Sequence, residues 1–181
     1  MLVEFEGKKP RVHKTAFLHP KATLIGDVRV GERSSVWPGA VIRGDFSSVR
    51  IGRCTSIQDN AVIHSADAYE FKAVRYLPVR VGDHVVVGHG ALLHGCTVAD
   101  NCIVGAGSIV FNGAKVGEGS LIGMGSVVLA NVEVPPRTVV VGIPARPLRR
   151  LTDEEFKRIR IQAENYAKLA QRHKKSEVEV V

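Results

Sequence analysis

The chain contains few cysteines and few aromatic residues, and it lacks long apolar runs. Only 3 of its 181 residues are cysteines, and 6% are aromatic. Cys54, Cys96 and Cys102 form no CxxC pair, so we expect reduced, packed thiols rather than a disulfide framework. No stretch reaches the roughly 18 apolar residues of a transmembrane helix, and the N-terminus resembles no secretory signal. We therefore expect a soluble, cytoplasmic protein without a membrane partner.

Basic residues are in moderate excess, with 25 Lys and Arg against 18 Asp and Glu and a net charge of +7. Much of the excess lies near the C-terminus, in ARPLRR (145–150) and QRHKK (171–175). Neither segment contains the interleaved aromatic side chains that stack on bases. The pattern favours a solvated basic face, and we expect no nucleic-acid partner.

Aliphatic residues recur every six positions, commonly followed by glycine. This period suits neither a helix nor a heptad, but it suits short strands joined by tight turns in which glycine adopts a positive φ. Three strands would close one triangular coil, and stacked coils would form a parallel β-helix with the aliphatic residues inside. Five sets of three follow the period: Val30, Val36 and Ile42; Ile51, Ile57 and Ile63; Val81, Val87 and Leu93; Val98, Val104 and Val110; Val116, Ile122 and Val128.

The period breaks at three places. Nine residues separate Ile42 from Ile51, eighteen separate Ile63 from Val81, and five separate Leu93 from Val98. We interpret SADAYEFKAVRYLP (65–78) as an inserted loop. Repeat proteins often place function where the repeat is interrupted, and all three breaks flank histidines.

The C-terminal segment has a different pattern. VVVGIPARPLRR (139–150) is interpreted as a connector, and the following residues predict a helix with a capping box formed by Thr152 and Glu155. We therefore expect an all-β domain over 1–150 and a helix with a tail over 151–181, the helix packing along the β-helix. The predicted apolar stripe contains Phe156, Ile159, Ala163, Tyr166 and Ala170.

Two histidines occupy equivalent positions on adjacent coils. His64 follows Ile63 and His94 follows Leu93, so the repeat stacks them one strand spacing apart on one face. Two such imidazoles reach neighbouring corners of a tetrahedral zinc site, where ligand nitrogens are about 3.3 Å apart. His89 lies almost one side of the triangle away, so we expect it to reach the metal of a neighbouring chain in a trimer. The remaining histidines of interest are interpreted as surface or packing residues: His13, His19, His84 and His173.

Several motifs together resemble the gamma-class carbonic anhydrase family of homotrimeric, left-handed β-helices. They are RGD (43–45), SIQDNAVIH (56–64), VGHGALLHG (87–95) and the helix opening LTDEE (151–155). The resemblance implies zinc, or iron, held by His64 and His94 of one subunit and His89 of its neighbour. It also implies the reversible hydration of carbon dioxide to bicarbonate by a metal-bound hydroxide.

By motif position, the resemblance assigns roles to further residues. Gln58 matches a glutamine that hydrogen-bonds the metal-bound water, and Asp45 matches a residue of the polar rim of the site. Arg43 and Asp59 match an ion pair between subunits. Tyr166 is similar to a tyrosine that short-loop relatives bring near the metal, although it suits a packing role equally well.

The chain also departs from the best-studied type of this family. Phe46 stands where that type has a glutamate, and the insertion at 65–78 is short, with Asp67 at the position of the proton shuttle. Since each turnover must release a proton, we expect weak anhydrase activity.

Three alternatives remain open at this point. Hexapeptide β-helices host acyl-CoA-dependent acyltransferases, and VVVGIPARPL (139–148) resembles their GxPA turn. A metal-dependent thioesterase would also use the three histidines. A non-catalytic trimeric scaffold would retain the fold and the metal without a substrate.

Overall fold

The computed structural model describes residues 1–70 and 73–176, which form one β-helix and one long helix. Phe71, Lys72 and the last five residues, 177–181, lie outside the described part, so the predicted insertion and tail are described only in part. The first eleven strands are β1 (Leu2–Val3), β2 (Arg11–Val12), β3 (Phe17–Leu18), β4 (Thr23–Val30), β5 (Ser35–Val36), β6 (Val41–Ile51), β7 (Ser56–Ile57), β8 (Val62–His64), β9 (Ala66–Glu70), β10 (Ala73–Leu77) and β11 (Val79–Val81).

The second half of the chain continues the same pattern of short strands and then turns helical. Its elements are β12 (Val86–Val87), β13 (Leu92–His94), β14 (Thr97–Val98), β15 (Ile103–Val104), β16 (Ile109–Val110), β17 (Lys115–Val116), β18 (Leu121–Ile122), β19 (Val127–Val128), β20 (Glu133–Val134), β21 (Thr138–Val141), β22 (Arg146–Arg150) and α1 (Asp153–Ser176).

The strands form a left-handed parallel β-helix with three faces, as predicted. Each coil pairs in register with the coils above and below, so one aliphatic side chain from each strand stacks on the next. The three columns of inward residues fill the interior. Face 1 contains Val30, Ile51, Val81, Val98 and Val116; face 2 contains Val36, Ile57, Val87, Val104 and Ile122; face 3 contains Ile42, Ile63, Leu93, Val110 and Val128.

The β-helix is longer at both ends than the five predicted sets. At the N-terminal end, Val12 pairs with Val30, Leu18 with Val36, and Leu24 with Ile42. At the other end, Val134 and Val140 extend the columns of faces 1 and 2. Since Val12, Leu18 and Leu24 are also six residues apart, the signal for the first added coil was present in the sequence.

The corners between faces depend on residues with positive φ. At the corner between faces 2 and 3, Gly90, Gly107 and Gly125 have φ of 65°, 64° and 66°. The corner between faces 1 and 2, here called the first corner, also uses side-chain-bearing residues in this conformation, which favours glycine and asparagine. They are Arg33, Cys54, His84, Asn101 and Arg137, with φ of 50–55°.

Two of the three breaks in the period are local additions to an otherwise continuous ladder. β4 and β6 run from face 3 to face 1, but Asp27 in β4 lies opposite four residues, 45–48, in β6. This bulge accommodates the three extra residues between Ile42 and Ile51. The segment predicted as a loop contains an antiparallel hairpin of β9 and β10, which pair from Ala66–Leu77 to Glu70–Ala73.

The C-terminal segment also contains more structure than predicted. Most of the expected connector forms β21 and β22, which pair antiparallel. The capping box is present, since the Glu155 amide donates to Thr152 Oγ1 at 3.2 Å and the Thr152 amide donates to Glu155 Oε2 at 2.9 Å. α1 packs along face 2, where it contacts β3, β5, β7 and β12. Its buried residues are Ile159, Ala163, Ala167 and Ala170, whereas Phe156 and Tyr166 are half-buried. The division at residue 150 stays a prediction.

Within the described residues, no helix combines the length and the apolar character that crossing a bilayer requires.

The packing of the columns predicts that alanine substitutions at two isoleucines change the folding free energy by very different amounts. Ile122 is fully buried in the face 2 column, whereas Ile161 on α1 is 58% exposed. We expect Ile122→Ala to cost about 2–5 kcal/mol of folding free energy through lost burial and a residual cavity. Ile161→Ala is the control and should stay within about 0.5 kcal/mol of the parent. Urea denaturation at a fixed protein concentration measures both; equal losses would contradict the assignment of the core.

Candidate metal centre

His64 and His94 lie side by side on face 3, as their register predicts. The β8–β13 ladder pairs His64 with His94, and the β6–β8 ladder pairs Arg43 with His64. Because Leu93 pairs with Val110, Phe111 follows in the same outward column above His94. The column therefore brings two imidazoles together with a guanidinium on one side and a phenyl ring on the other.

The outer nitrogen of each imidazole has a hydrogen-bond acceptor. His64 Nε2 donates to Asp45 Oδ1 at 3.0 Å, and His94 Nδ1 donates to Asn112 Oδ1 at 2.5 Å. In neutral imidazoles with these tautomers, the lone pairs of His64 Nδ1 and His94 Nε2 face each other, and these two atoms are 3.2 Å apart. Arg43 Nη2 approaches His64 Nδ1 at 3.4 Å.

This arrangement fits a metal ion. Two lone pairs directed at each other repel, whereas a cation between them is attracted to both. The separation of 3.2 Å matches the edge of about 3.3 Å between nitrogen ligands of tetrahedral zinc. Metal-bound histidines usually donate their other ring N–H to such an acceptor, which holds the tautomer and the ring orientation.

Electrostatics keep His64 in the form that binds metal. Burial lowers the pKa of His64; the hydrogen bond to Asp45 opposes this shift, and the charge of Arg43 adds to it. The net effect disfavours the imidazolium, which has no lone pair for a metal.

Asp45 lies in the bulge of β6 that the sequence showed as a nine-residue gap. Its carboxylate accepts a bond from His64 and pairs with Arg43. Burial raises the pKa of Asp45, but the bonds from Arg43 and His64 outweigh it and the net pKa is lowered. Asp45 therefore stays ionised and keeps accepting the proton of His64 Nε2.

His89 lies apart from the pair, in the turn between faces 2 and 3. Its Nδ1 is 3.0 Å from Asp59 Oδ2, and its side chain is 58% exposed in the single chain. The position agrees with the expectation that His89 does not complete the site of its own chain. In this chain Arg43 pairs with Asp45 and Asp59 with His89, so the intersubunit pair of Arg43 and Asp59 stays a prediction.

Gln58 and Tyr166 make their contacts with residues other than His64 and His94. Gln58 is buried one residue before Asp59, and its backbone N–H donates to the carbonyl of Val87, which places it beside the coil that carries His89. Tyr166 lies on α1, with its ring 6.3 Å from that of Trp37 in a T-shaped contact. Packing thus accounts for Tyr166, and its role at the metal, like that of Gln58, stays a prediction.

Aromatic rings flank the pair on the solvent side. Phe46 lies over His64 with 5.5 Å between ring centroids and stacks on Tyr76 at 5.6 Å. Phe111 stacks on His94 at 5.2 Å. Each of the three aromatic residues is between 40% and 53% exposed in the single chain. The pair therefore lies at the base of an apolar surface, here called the aromatic wall.

Sequence reasoning missed Asn112 and Phe111, although a signal was available. Both follow Val110, which stacks on Leu93, so they had to lie next to His94. Asn112 also donates from Nδ2 to the carbonyl of Asp67 at 3.3 Å, which fixes the hairpin to the coil above His94. The same amide thus connects the insertion to the centre.

The chain is similar to several known proteins. The family model described as the hexapeptide repeat of succinyl-transferase matches residues 78–112 and 97–130. The chain is 45% identical to a probable carbonic anhydrase of Methanocaldococcus jannaschii over 88% of this chain and 96% of the relative. It is 44% identical to gamma carbonic anhydrase 1, mitochondrial, of Arabidopsis thaliana over 92% of this chain and 60% of the relative.

A solved structure with a different name is also similar. A structure from Bacillus cereus described as a putative acetyltransferase has a TM-score of 0.88 and is 36% identical, covering 96% of each chain. The chain spans about 60% of the length of the first two plant relatives that it matches.

The hydrogen bond between His64 and Asp45 leads to a prediction about metal affinity. Asp45→Ala should weaken zinc binding by roughly 10- to 100-fold, because His64 loses the acceptor that holds its tautomer. Asp45→Asn keeps an acceptor oxygen and should lose less. Asp27→Ala is the matched control, since Asp27 lies in the preceding coil, pairs with Arg50 and contacts neither histidine of the pair. Competition with a chromogenic chelator measures the affinities, and an equal loss in Asp27→Ala would contradict the role of Asp45.

Proposed function

The chain belongs to the gamma-class carbonic anhydrase family, and we propose that it catalyses the reversible hydration of carbon dioxide at a metal shared between the subunits of a homotrimer. The observation that carries the proposal is that His64 Nδ1 and His94 Nε2 lie 3.2 Å apart with their lone pairs facing each other, while acceptors hold the other nitrogen of each ring. A general base would need one histidine rather than two converging ones.

We propose that His64 and His94 of one chain and His89 of the next bind the metal. His89 is exposed on a corner, and Asp59 orients its ring from behind. Exposed apolar residues near the corner between faces 2 and 3 support an interface there, because burying them between chains would remove apolar surface from water. Met124 and Ile143 are 81% and 76% exposed, and Met124 lies in the turn between faces 2 and 3, as His89 does.

Zinc, with iron as the alternative, suits three neutral imidazoles. When bound, such a metal acts as a Lewis acid that lowers the pKa of a bound water to about 7. Asp45 and Asn112 hold the tautomers that present a lone pair to it. We propose that Gln58 orients the reacting water, and that Tyr166 has a supporting role if it reaches the site across an interface.

The aromatic wall suits a small uncharged substrate. Phe46 and Phe111 offer ring faces next to the histidines, Tyr76 extends this surface by stacking on Phe46, and none of the three carries a charge. Carbon dioxide loses little hydration energy on entering such a surface, whereas bicarbonate is strongly hydrated and is released more readily. Arg43 and Asp45 pair with each other beside His64, so polar groups and the ring of Phe46 border the same imidazole.

Proton removal is the weak step of this centre. Phe46 has no group that accepts a proton, and it covers His64 at the position of a carboxylate in the best-studied relatives. Asp67 lies in the hairpin opposite Tyr76, and its carbonyl accepts the bond from Asn112. We propose that Asp67 and the solvent share the transfer inefficiently, so that the activity is weak.

We propose that the enzyme is cytoplasmic. The three cysteines are free and buried, which suits a reducing compartment. Burial raises the pKa of Cys96 and of Cys102 to about 12, so both thiols stay protonated and inert at neutral pH.

An acyltransferase is the second candidate, supported by the name of the similar Bacillus cereus structure. A thioesterase and a scaffold remain alternatives without an observation of their own. Acetyl-CoA turnover by the purified chain, measured beside carbon dioxide hydration, separates the two enzyme classes.

The shared site predicts that defective chains complement each other. His89→Ala and His64→Ala should lose the same amount of metal, because each substitution removes one of three ligands. When the two variants are mixed as unfolded chains and refolded together, each mixed trimer should regain one complete site. Metal analysis after gel filtration measures this. If mixing restores none of the metal lost from the single variants, or if His89→Ala binds as much metal as the parent chain, the three histidines do not form a shared site.

The lack of an acceptor at Phe46 predicts a response to buffers. Small imidazole buffers should raise kcat for carbon dioxide hydration and leave kcat/KM largely unchanged, because they remove the proton after the hydration step. Phe46→Glu should raise kcat in buffers too bulky to enter, while Phe46→Leu serves as the control without an acceptor. Stopped-flow hydration assays measure both constants. A metal-loaded trimer that is inactive in every buffer would rule out the anhydrase activity.

A further inference from the structure

The first corner of the β-helix brings a second group of potential metal ligands against α1. Cys54 and His84 occupy equivalent turn positions in adjacent coils, since their flanking strands β7 and β12 pair in register. Glu164 projects from α1 onto this corner, where its Oε1 accepts from His84 Nε2 at 3.1 Å. One thiol, one imidazole and one carboxylate therefore meet between the β-helix and the helix.

The three groups lie close enough to share one ion. One potential ligand atom from each residue lies within 4.8 Å of the other two. In tetrahedral zinc sites the ligand atoms are about 3.3–3.8 Å apart, so rotamer adjustments of the order of 1 Å close the set. Cys54 is 7% exposed, and His84 and Glu164 are half-buried. A cavity of about 280 Å³ opens beside them and leaves room for a water as fourth ligand.

We propose that Cys54, His84 and Glu164 bind a zinc ion that fastens α1 to the β-helix. The site is separate from the histidine pair on face 3, so it does not depend on the proposed anhydrase activity. Its ligands come from two coils and the helix, and binding would therefore stabilise the docking of the helix rather than act on a substrate.

The donor set selects zinc over harder cations. A thiolate and an imidazole are ligands for zinc, whereas calcium and magnesium require mostly oxygen. Burial and the charge of Glu164 raise the pKa of the Cys54 thiol, so without metal the thiol is protonated at neutral pH. Zinc displaces that proton, and the two ligand charges then balance the ion.

Basic side chains at the same corner limit the affinity without blocking the site. Arg33 pairs with Glu164 Oε2 at 3.0 Å, which leaves Oε1 facing His84. Arg53 pairs with Asp83 at 3.0 Å, so its charge is balanced locally. The charged residues that line the cavity are Glu32, Arg33, Arg53, Arg160 and Glu164.

Contacts that hold α1 against the β-helix account for Arg33 and His84 at the first corner, but not for Cys54. Arg33 and His84 both bond Glu164, and Arg137 pairs with Asp153 at the start of α1. Cys54 is not needed for these contacts, yet it is buried among them with a positive φ of 50°. Among the equivalent corner positions, Asn101 and Gly119 are residues that tolerate this conformation better, whereas Arg33, His84 and Arg137 share it with Cys54.

The test uses the full chain with His94→Ala, which removes a ligand of the face 3 site. After loading with cobalt(II) and desalting, we expect one ion per chain and a thiolate-to-cobalt absorption band in the near ultraviolet. Cys54→Ser should abolish the band and the bound metal. His84→Asn should lower the affinity for zinc by at least roughly 10-fold; asparagine suits the positive φ, as Asn101 shows in the next coil.

Cys102→Ser is the matched control. Cys102 is a buried cysteine whose Sγ donates to the carbonyls of Asp100 and Gly117, and the next coil has Ser120 at the equivalent position. This variant should keep the band and the metal. Zinc should also raise the melting temperature of the His94→Ala chain by about 5 °C at 100 times the dissociation constant, and not that of the chain with Cys54→Ser added.

Two outcomes would overturn the site. One is a His94→Ala chain that is folded by circular dichroism but binds no zinc or cobalt. The other is bound cobalt without a thiolate band, or with a band that survives Cys54→Ser. Loss of hydration activity alone bears on the face 3 centre and leaves this proposal unchanged.

Discussion

The in-register stacking of coils is the constraint on which the rest of the structure depends. Each short strand can pair its backbone only with the strand above and below, so any shift by one residue would turn the aliphatic side chains out of the interior. Ile57, for example, must lie between Val36 and Val87. Extra residues are therefore confined to places outside the columns, as the bulge opposite Asp27 and the hairpin of β9 and β10 show.

The same stacking builds sites without long loops. An outward side chain has its nearest neighbours at the equivalent positions of the adjacent coils, one strand spacing away. His64 and His94 meet in this way on face 3, and Cys54 and His84 meet in this way at the first corner. In both proposed sites two adjacent coils would supply two ligands, and a third would have to come from outside the ladder. We propose that a neighbouring chain supplies it at face 3 and that α1 supplies it at the first corner.

In the proposed mechanism, the bulge in β6 affects both the orientation of His64 as a ligand and the release of the proton. It places Asp45 behind His64, where the carboxylate holds the ring, and it places Phe46 over the same ring. The same bulge thus positions the acceptor that holds the tautomer of His64 and the phenyl ring that covers it. A carboxylate at position 46 would add a proton acceptor, but it would also place a second negative charge close to Asp45.

The sequence by itself determined the β-helix, its columns and the stacked histidines, because a period of six leaves one register and the register decides which residues are neighbours. The family was also evident from the motifs around His64, His89 and His94. Contacts that cross between separate parts of the chain needed the tertiary structure. The hairpin within 65–78 depends on antiparallel pairing between Ala66 and Leu77, and the hydrogen bond of His94 to Asn112 depends on side-chain rotamers. Likewise, the approach of Glu164 to Cys54 and His84 depends on where α1 docks, which no local pattern encodes.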